Sequence, residues 1–571
     1  MRFVKYILVI FVSAFFVVSV SCDDDFDSDS ESRITETNIS SSPILAEQAL
    51  MGVYAKMTKG SMYGKKLSYY CSLNSDIECI SGSTDNGRRA IARGVATSYN
   101  TESIDIITNC YSTIRECNNL ISATDNGINE LKGEQLKKML SIKAEVTVLR
   151  AFIYHDMVRV FGDIPYITNN YNIDNISYKV VENRKNILTQ EIANVEDWIE
   201  YLDGEVDSFE RLNKYSSYAL LAEMCFTRSG RSMISDVDTD EDTDDKIEYL
   251  KKARYYLEKI VNSDKYELEN SYEKIFKKLM SYDNVSSEIL FALPMTRGNS
   301  GELGYFISTK HDEGSKYGST ECGVLAPVTY FYDFDCNDLR RDVTLTLHKY
   351  TKDSQQNLSG INNISFGKFR REWLQPVYEG KQKYTGVDLP IMRYSDVLLM
   401  LAECKLEIEN DIDGAKELLR KVRVRSFKSS DIDMKVDHYL GKMTTYLTTL
   451  EGIRKERMFE LGGERKRKFD LMRYGILDKS LSESKVRLNN LKERKAEFIE
   501  VPEKIYWRLS DDSEHIKYAT VDENDFAADF DFDSDGLKNT KWSGAVASSF
   551  VERMCESEGN LKYFLPLPIA E

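Results

Sequence analysis

Apolar residues recur every three or four positions through much of this chain, which is the period of a helix with one buried face. The first predicted helix begins at Ser41-Ser42-Pro43, where a capping serine precedes proline. The same spacing predicts further helices near residues 104–121, 136–160, 187–202, 215–228, 246–261, 394–409, 413–425 and 443–461. Short turns between consecutive helices indicate a scaffold of stacked helix pairs.

Proline divides the chain into two regions. Only Pro43 and Pro165 occur before residue 294, and the other seven prolines follow. Residues 280–390 and 500–571 combine Gly, Pro and aromatic residues without a clear period, so we predict loops and short strands there. The expectation is a mainly α-helical protein, with a helical region at 43–280 and a region of further helices and ligand-binding loops at 281–571.

The N-terminus has the order of a secretory signal. Arg2 and Lys5 precede the apolar run 6–18, and small residues then lead to Cys22. A cysteine in this position resembles a bacterial lipobox, so we predict a lipoprotein signal peptide at 1–21 and lipidation of Cys22. The apolar run is shorter than the ~20 residues of a spanning helix, although an uncleaved N-terminal anchor stays an alternative.

Acidic residues exceed basic ones, with 93 Asp and Glu against 76 Lys and Arg and a net charge of −17. This balance argues against binding to nucleic acid or to anionic lipid. Six of the acids lie between residues 23 and 31, so we predict an extended acidic tether at 22–42. Acids directly after a lipidated cysteine resemble the surface-export signal of Bacteroidetes lipoproteins.

One acidic segment is a candidate calcium site. Asp531, Asp533 and Asp535 alternate before Gly536, as in a calcium-binding loop. The twelfth position is Trp542 instead of the usual bidentate Glu, so an ion would need a distant ligand, and an ordinary exposed turn competes with this interpretation. No cysteine or histidine spacing indicates zinc. Calcium is therefore a possible ligand, and no cofactor is required.

Catalytic motifs are absent from the sequence. There is no phosphate-binding or dinucleotide-binding glycine loop, no HExxH and no GxSxG. A glycosidase-type carboxylate pair stays open among so many acids. The basic stretch 454–473 carries eight Lys or Arg and four Asp or Glu, and these interleaved signs favour intrachain ion pairs over a nucleic-acid groove.

Seven short segments in series resemble motifs of the RagB/SusD family of outer-membrane nutrient-binding lipoproteins. The first contains the helix-and-turn pattern that ends in FGDIP at 161–165. The segments lie at 144–165, 214–222, 287–291, 390–403, 423–425, 456–475 and 565–571. The resemblance implies four tetratricopeptide-like helix pairs with an irregular C-terminal part, in which Arg and Glu pairs within the motifs hold helix to helix.

The resemblance also implies a function without chemistry. Such proteins lie as lids over a SusC-type TonB-dependent transporter in the outer membrane and capture oligosaccharides or, in some members, peptides. Three alternatives stay open: a surface glycoside hydrolase or peptide-processing enzyme, a peptide-binding member of the family, and a tetratricopeptide-type scaffold for other proteins.

The family builds its ligand site from the loop after the first helix and from the middle loops. Sugars offer apolar ring faces and hydroxyls, which suit aromatic residues beside Asn, Asp or Arg. The candidate contacts are Tyr69, Tyr70, Asn74 and Asp76 in the first loop, Tyr305, Tyr317 and Tyr330 in the second, and Arg371, Trp373 and Tyr378 in the third. Ordinary core packing competes at every tyrosine.

Overall fold

The computed structural model describes residues 36–82, 86–169, 176–230, 241–377, 382–518, 537–554 and 563–569. Several predictions concern residues outside these ranges and therefore stay predictions. They are the signal peptide, the lipidation of Cys22, the candidate contact Tyr378, and the calcium candidates Asp531, Asp533 and Asp535. Within the described residues, no helix combines the length and the apolar character needed to cross a membrane.

Helices form most of the described structure, so the predicted mainly α class is confirmed. In chain order they are α1 (Glu36–Ser41), α2 (Pro43–Met57), α3 (Arg88–Ala92), α4 (Thr101–Ile128), α5 (Gly133–Phe161), α6 (Arg184–Trp198), α7 (Lys214–Arg228), α8 (Glu241–Val261), α9 (Tyr272–Met280), α10 (Leu303–Phe306), α11 (Val328–Asp333), α12 (Arg341–Thr344), α13 (Tyr394–Glu409), α14 (Ile412–Val424), α15 (His438–Gly441), α16 (Tyr446–Leu461), α17 (Arg467–Arg473), α18 (Leu477–Lys492) and α19 (Ser548–Arg553).

Several helix boundaries agree with the sequence signals. The Ser42 hydroxyl caps α2 by accepting a hydrogen bond from the Leu45 amide at 3.4 Å. Helix α13 spans the predicted residues 394–409. Helix α1 corrects the predicted tether at its C-terminal end, since residues 36–41 are helical. The reason is local packing: Ile39 is buried, and Gly127 of α4 lets the backbone of α1 approach closely.

Consecutive helices pack against each other, as the predicted scaffold requires. Contacts join α4 to α5, α5 to α6, α7 to α8, and α13 to α14. Helix α8 also contacts α13, which connects the first and second halves of the chain. One hydrophobic cluster runs from Ile39 to Leu565 through these interfaces, so the two halves share a core.

Short strands occupy the predicted loop regions. In the described residues they are β1 (Cys79–Ile80), β2 (Ile289–Leu293), β3 (Lys310–His311), β4 (Val324–Ala326), β5 (Leu345–Thr346), β6 (His348–Tyr350), β7 (Gln356–Leu358), β8 (Ile364–Phe366), β9 (Leu389–Arg393), β10 (Lys504–Leu509), β11 (Ile516–Tyr518) and β12 (Lys538–Lys541). They form four small sheets with orders β1-β4-β8-β5, β11-β10-β12, β2-β9 and β3-β6-β7. All pairs are antiparallel except β3 with β6.

A buried network of ion pairs joins the motifs of the second half. Arg393, at the end of β9, contacts Glu288 at 2.7 Å, Glu460 of α16 at 3.0 Å and Glu464 at 2.7 Å. These side chains are at most 4% exposed, and Arg425 adds contacts to Glu288 and Glu460. The predicted structural role of the motif charges is therefore confirmed.

The FGDIP turn and the C-terminal motif support each other. Gly162 has φ +76°, and a Cβ there would lie 3.1 Å from the Phe564 ring. The Leu565 amide donates to the Val160 carbonyl at 2.8 Å, which docks the C-terminal segment on this turn. Two distant family motifs thus form one structural contact.

Candidate functional site

The three loops predicted to hold a ligand lie against one another. Tyr70 of the first loop packs its ring 5.7 Å from the Phe306 ring of the second. The Arg371 amide of the third loop donates to the Ser308 hydroxyl of the second at 3.0 Å. The residues that sequence analysis grouped from distant segments are therefore brought into one region.

Half of the named side chains are nevertheless in the core. Tyr69, Tyr70, Asn74, Tyr330 and Arg371 are all buried. The Tyr330 hydroxyl donates to the Met458 carbonyl at 2.8 Å, and the Arg371 guanidinium donates to the carbonyls of Tyr317 and Gln382. All five side chains are enclosed by the protein, so the structure corrects their predicted role to one of core packing.

The remaining candidates differ in what they leave accessible. Both carboxylate oxygens of Asp76 accept hydrogen bonds from Arg467, Oδ1 from Nε at 2.8 Å and Oδ2 from Nη2 at 2.6 Å. The Tyr317 hydroxyl donates to Glu514 at 2.5 Å. The half-buried Trp373 ring already has Lys277 and Arg370 over it, with 5.3 and 4.8 Å to the ring centre. Tyr305 is half-buried, and among the described residues no Lys or Arg lies over its ring.

Tyr305 belongs to a surface that we name the loop face. It consists of the partly or fully exposed Lys65, Arg88, Tyr305, Glu321, Lys383 and Tyr384, together with the buried Glu302 beneath them. Lys65 contacts Glu302 at 2.6 Å and Glu321 at 3.6 Å, while Lys383 lies 3.4 Å from Glu302. Arg88 pairs with Glu321, whose amide donates to the Tyr305 carbonyl at 3.0 Å. Tyr305 and Glu321 come from the second predicted loop, whereas the other loop-face residues lie in segments that flank the three predicted loops.

The loop face keeps its charges. Burial disfavours the Lys65 ammonium, but the hydrogen bond and charge of Glu302 outweigh it and raise the pKa of Lys65. Burial likewise opposes the Arg88 charge, yet Glu321 raises the pKa of Arg88. Fixed ammonium, guanidinium and carboxylate groups beside two tyrosines offer donors, acceptors and ring faces together, which is the chemistry that a hydroxylated ligand needs.

Sequence analysis missed most of the loop face. Lys65, Glu302 and Lys383 lie in irregular segments, where no periodicity marks a surface position. Tyr384, with Lys383 4.6 Å from its ring centre, follows the predicted third loop by only a few residues. In the sequence, the signal that could have identified Tyr384 is its closeness to the predicted third loop. The ion pairs themselves depend on tertiary contacts between segments more than 200 residues apart.

No group of three or more His, Cys, Asp or Glu side chains is arranged to hold a metal ion within the described ranges. The calcium prediction concerns residues outside those ranges and is unaffected.

Two family models match this chain in succession. The model described as "SusD family" matches residues 236–571, and the model described as "Starch-binding associating with outer membrane" matches residues 25–225. SusD-like protein P2 of Formosa agariphila is 25% identical over 451 residues, which cover 75% of this chain and 83% of that protein. SusD-like protein P25 of the same organism is 23% identical over 513 residues, covering 82% and 90%.

Solved structures share the fold. A SusD homolog from Bacteroides thetaiotaomicron superposes with a TM-score of 0.70 at 22% identity, covering 80% of this chain and 91% of that one. Surface glycan-binding protein A from the same species, in complex with laminarihexaose, gives a TM-score of 0.57 at 18% identity, covering 75% and 90%. The resemblance inferred from the motifs is confirmed, and because a family model spans more than half of its residues, this chain belongs to the SusD family.

Proposed function

We propose that this protein binds oligosaccharides at the cell surface and delivers them to a SusC-like TonB-dependent transporter. The observation that carries the proposal is the loop face, where the backbone of the half-buried Tyr305 is hydrogen-bonded to Glu302 and Glu321, which are ion-paired with side chains from a distant segment. Family membership supports it. So do a matching family model described as starch-binding and a structural relative that holds laminarihexaose.

Tyr305 has the features of a sugar contact. Its hydroxyl makes no hydrogen bond to another described residue, and its ring is partly exposed. Under the proposal a sugar ring packs on that ring while its hydroxyls reach Glu321, whose amide donates to the Tyr305 carbonyl, and Lys383; both side chains are at least partly exposed. Aromatic residues combine large contact area with a polar end, which makes them effective anchors in binding sites.

Membrane attachment would come from the N-terminus. Under the proposal Cys22 carries lipid, and the fourteen residues 22–35 join it to α1. Fully extended, such a segment spans up to about 50 Å, at ~3.5 Å per residue. This reach would let an anchored protein lie over a transporter in the same membrane. The outer membrane is the compartment named by the family model for residues 25–225.

The geometry favours a protein that binds its ligand without catalysing a reaction. Asp388 has the profile of a general acid, because burial raises its pKa to about 7. Its carboxyl is hydrogen-bonded to that of Glu210, however, whereas glycosidase carboxyls are separated by about 5 Å or more. On the loop face, Glu302 and Glu321 are both held by cations. These arrangements do not match the two-carboxylate machinery of a hydrolase.

Calorimetric titration tests the binding step. We expect the purified protein to bind laminarihexaose or maltohexaose, and Tyr305→Ala to weaken that binding about tenfold or more. Tyr255→Ala is the matched control, because Tyr255 is 54% exposed on the scaffold helix α8 and is not part of the loop face. Equal affinities of the two variants would overturn the loop-face assignment. Binding of peptides and of no glycan in a wider panel would favour the peptide-binding alternative.

Co-purification tests the delivery step. Detergent extracts of the native outer membrane should yield a SusC-like barrel together with this protein. Recovery of the protein without any barrel, or with other proteins only, would favour the scaffold alternative. Release of reducing sugar from a bound glycan, lost on changing one carboxylate, would favour the hydrolase.

A further inference from the structure

A cavity of about 440 Å³ opens between α11, α16 and α18 and shares no residue with the loop face. This volume is within the ~300–1,000 Å³ of small-molecule sites. The cavity is lined by Asp76, Asp333, Glu451, Arg454, Lys455, Met458, Arg467, Ile476, Lys479, Ser480, Glu483, Ser484 and Arg487. Nothing in the proposed function uses it.

Two ion pairs form the inner wall of the cavity. The Arg467 guanidinium contacts both carboxylate oxygens of Asp76, and the Arg487 guanidinium contacts both oxygens of Asp333 at 3.1 and 2.6 Å. Each acid is therefore neutralised by its own arginine. The four side chains shape the wall and contribute no net charge.

The rim is balanced in the same way. Lys455 lies 3.8 Å from Glu451, and Lys479 lies 3.8 Å from Glu483, each pair one turn apart on its helix. These four side chains are exposed, so the cavity opens to solvent between α16 and α18. Solvated pairs of this kind contribute little binding energy of their own.

Arg454 departs from this pattern. Its guanidinium lies 4.2 Å from the centre of the Tyr474 ring, and no carboxylate pairs with it among the described residues. Its Nε is buried without a hydrogen-bond partner. Arg454 lines the cavity and is only partly buried, so its wall holds a positive charge that no described carboxylate balances. A carboxylate on a ligand would form a charge-assisted pair with the accessible part of this guanidinium.

The other lining residues indicate what the carboxylate is attached to. Ser480 supplies a hydroxyl beside the charged pairs, which suits the hydroxyls of a ligand. Met458 and Ile476 supply a small apolar surface. We infer that the cavity binds a carboxylated sugar unit, with its carboxylate on Arg454 and its hydroxyls on the ion pairs of the wall and on Ser480.

Titration with glucuronate tests this inference, with glucose as the neutral analogue and acetate as the carboxylate without hydroxyls. We expect glucuronate to bind the purified protein more tightly than either of the other two. Replacing the guanidinium removes a charge-assisted pair, so Arg454→Gln should weaken glucuronate binding about tenfold or more, while Arg454→Lys should retain part of it.

Two controls separate this site from the loop face and from the fold. Arg420→Gln changes an arginine on the exposed face of α14 and should leave glucuronate binding unchanged. Tyr305→Ala should also leave it unchanged, even where that variant has lost oligosaccharide binding. Ser480→Phe fills the cavity from a half-buried position and should abolish glucuronate binding. Equal affinity for glucuronate and glucose or acetate, or undiminished binding by Arg454→Gln and Ser480→Phe, would overturn the inference.

Discussion

The carboxylate of Glu460 lies at a junction of the buried ion network, where three arginines meet it. Glu460 is fully buried on α16 and accepts hydrogen bonds from Arg340 at 3.1 Å, Arg393 at 3.0 Å and Arg425 at 2.8 Å. Burial alone would raise the pKa of Glu460, but these arginines hold it well below its usual range. The group is therefore a carboxylate that three cations share.

The substitution Glu460→Gln keeps the shape of the side chain and removes its charge. The guanidinium groups of Arg340, Arg393 and Arg425 would then remain in the core with one fewer compensating charge. Breaking a buried ion pair by removing one partner costs about 3–5 kcal/mol of unfolding free energy. Glu451→Gln, on the same helix, is the matched control. Glu451 is exposed and makes one contact at 3.8 Å, so its loss should cost about 0.5 kcal/mol or less.

Urea unfolding followed by circular dichroism measures both variants. Comparable slopes in the two transitions would allow the shift in midpoint to be read as a change in free energy. We expect a large loss for Glu460→Gln and almost none for Glu451→Gln. Losses that agree within about 1 kcal/mol would refute the view that the buried network holds β2, β9 and α16 together.

Three further predictions address other parts of the molecule. Burial opposes ionisation of Asp396, but Arg457 and Lys466 lower its pKa to about 2. The pKa of Asp in the unfolded chain is near 3.9, so the ionised Asp396 stabilises the fold above about pH 4, and this contribution is lost as the pH falls toward 2. Measured as the free energy of unfolding against pH, an Asp396→Asn variant should lack this part of the wild-type acid dependence. Gly162→Ala should lower the free energy of unfolding by about 1–3 kcal/mol, because φ is positive there and the added Cβ would meet the Phe564 ring. Gly60→Ala, which has open space around it, should change the free energy of unfolding little. Equal effects of the two substitutions would contradict the argument about the turn. Cys22→Ser should abolish radiolabelled palmitate incorporation and release the protein from membranes, and retained labelling would place the lipid elsewhere.

Helices were predictable where one apolar face recurs over several turns. Helix α5 buries a residue at nearly every position of its second half, and its predicted span differs from the observed one only at the ends. Helix α18 was missed although Leu477, Leu481, Leu488 and Leu491 are buried at helical spacing, because polar and charged residues dominate the rest of it. Local pattern therefore identified the scaffold best where burial is almost complete.

The ligand loops were predictable as a group but not side chain by side chain. The family resemblance indicated which segments come together. Whether a tyrosine in such a segment faces inward depends on its neighbours, and Phe306 lies against both Tyr69 and Tyr70. Tyr305, one residue earlier, stays partly exposed. In an irregular segment, buried and exposed side chains alternate without a fixed period. Only the tertiary contacts therefore decide which side chains are buried.

The basic stretch 454–473 connects the fold with the second proposed site. Arg457, Arg465 and Arg473 have carboxylate partners in the core, as interleaved charge predicts. Lys468 has no carboxylate partner within the described residues but donates to the Cys71 carbonyl at 3.0 Å. Arg454, which is only partly buried at the cavity, has no carboxylate partner among the described residues. A ligand carboxylate there would gain a charge-assisted pair that no described side chain supplies.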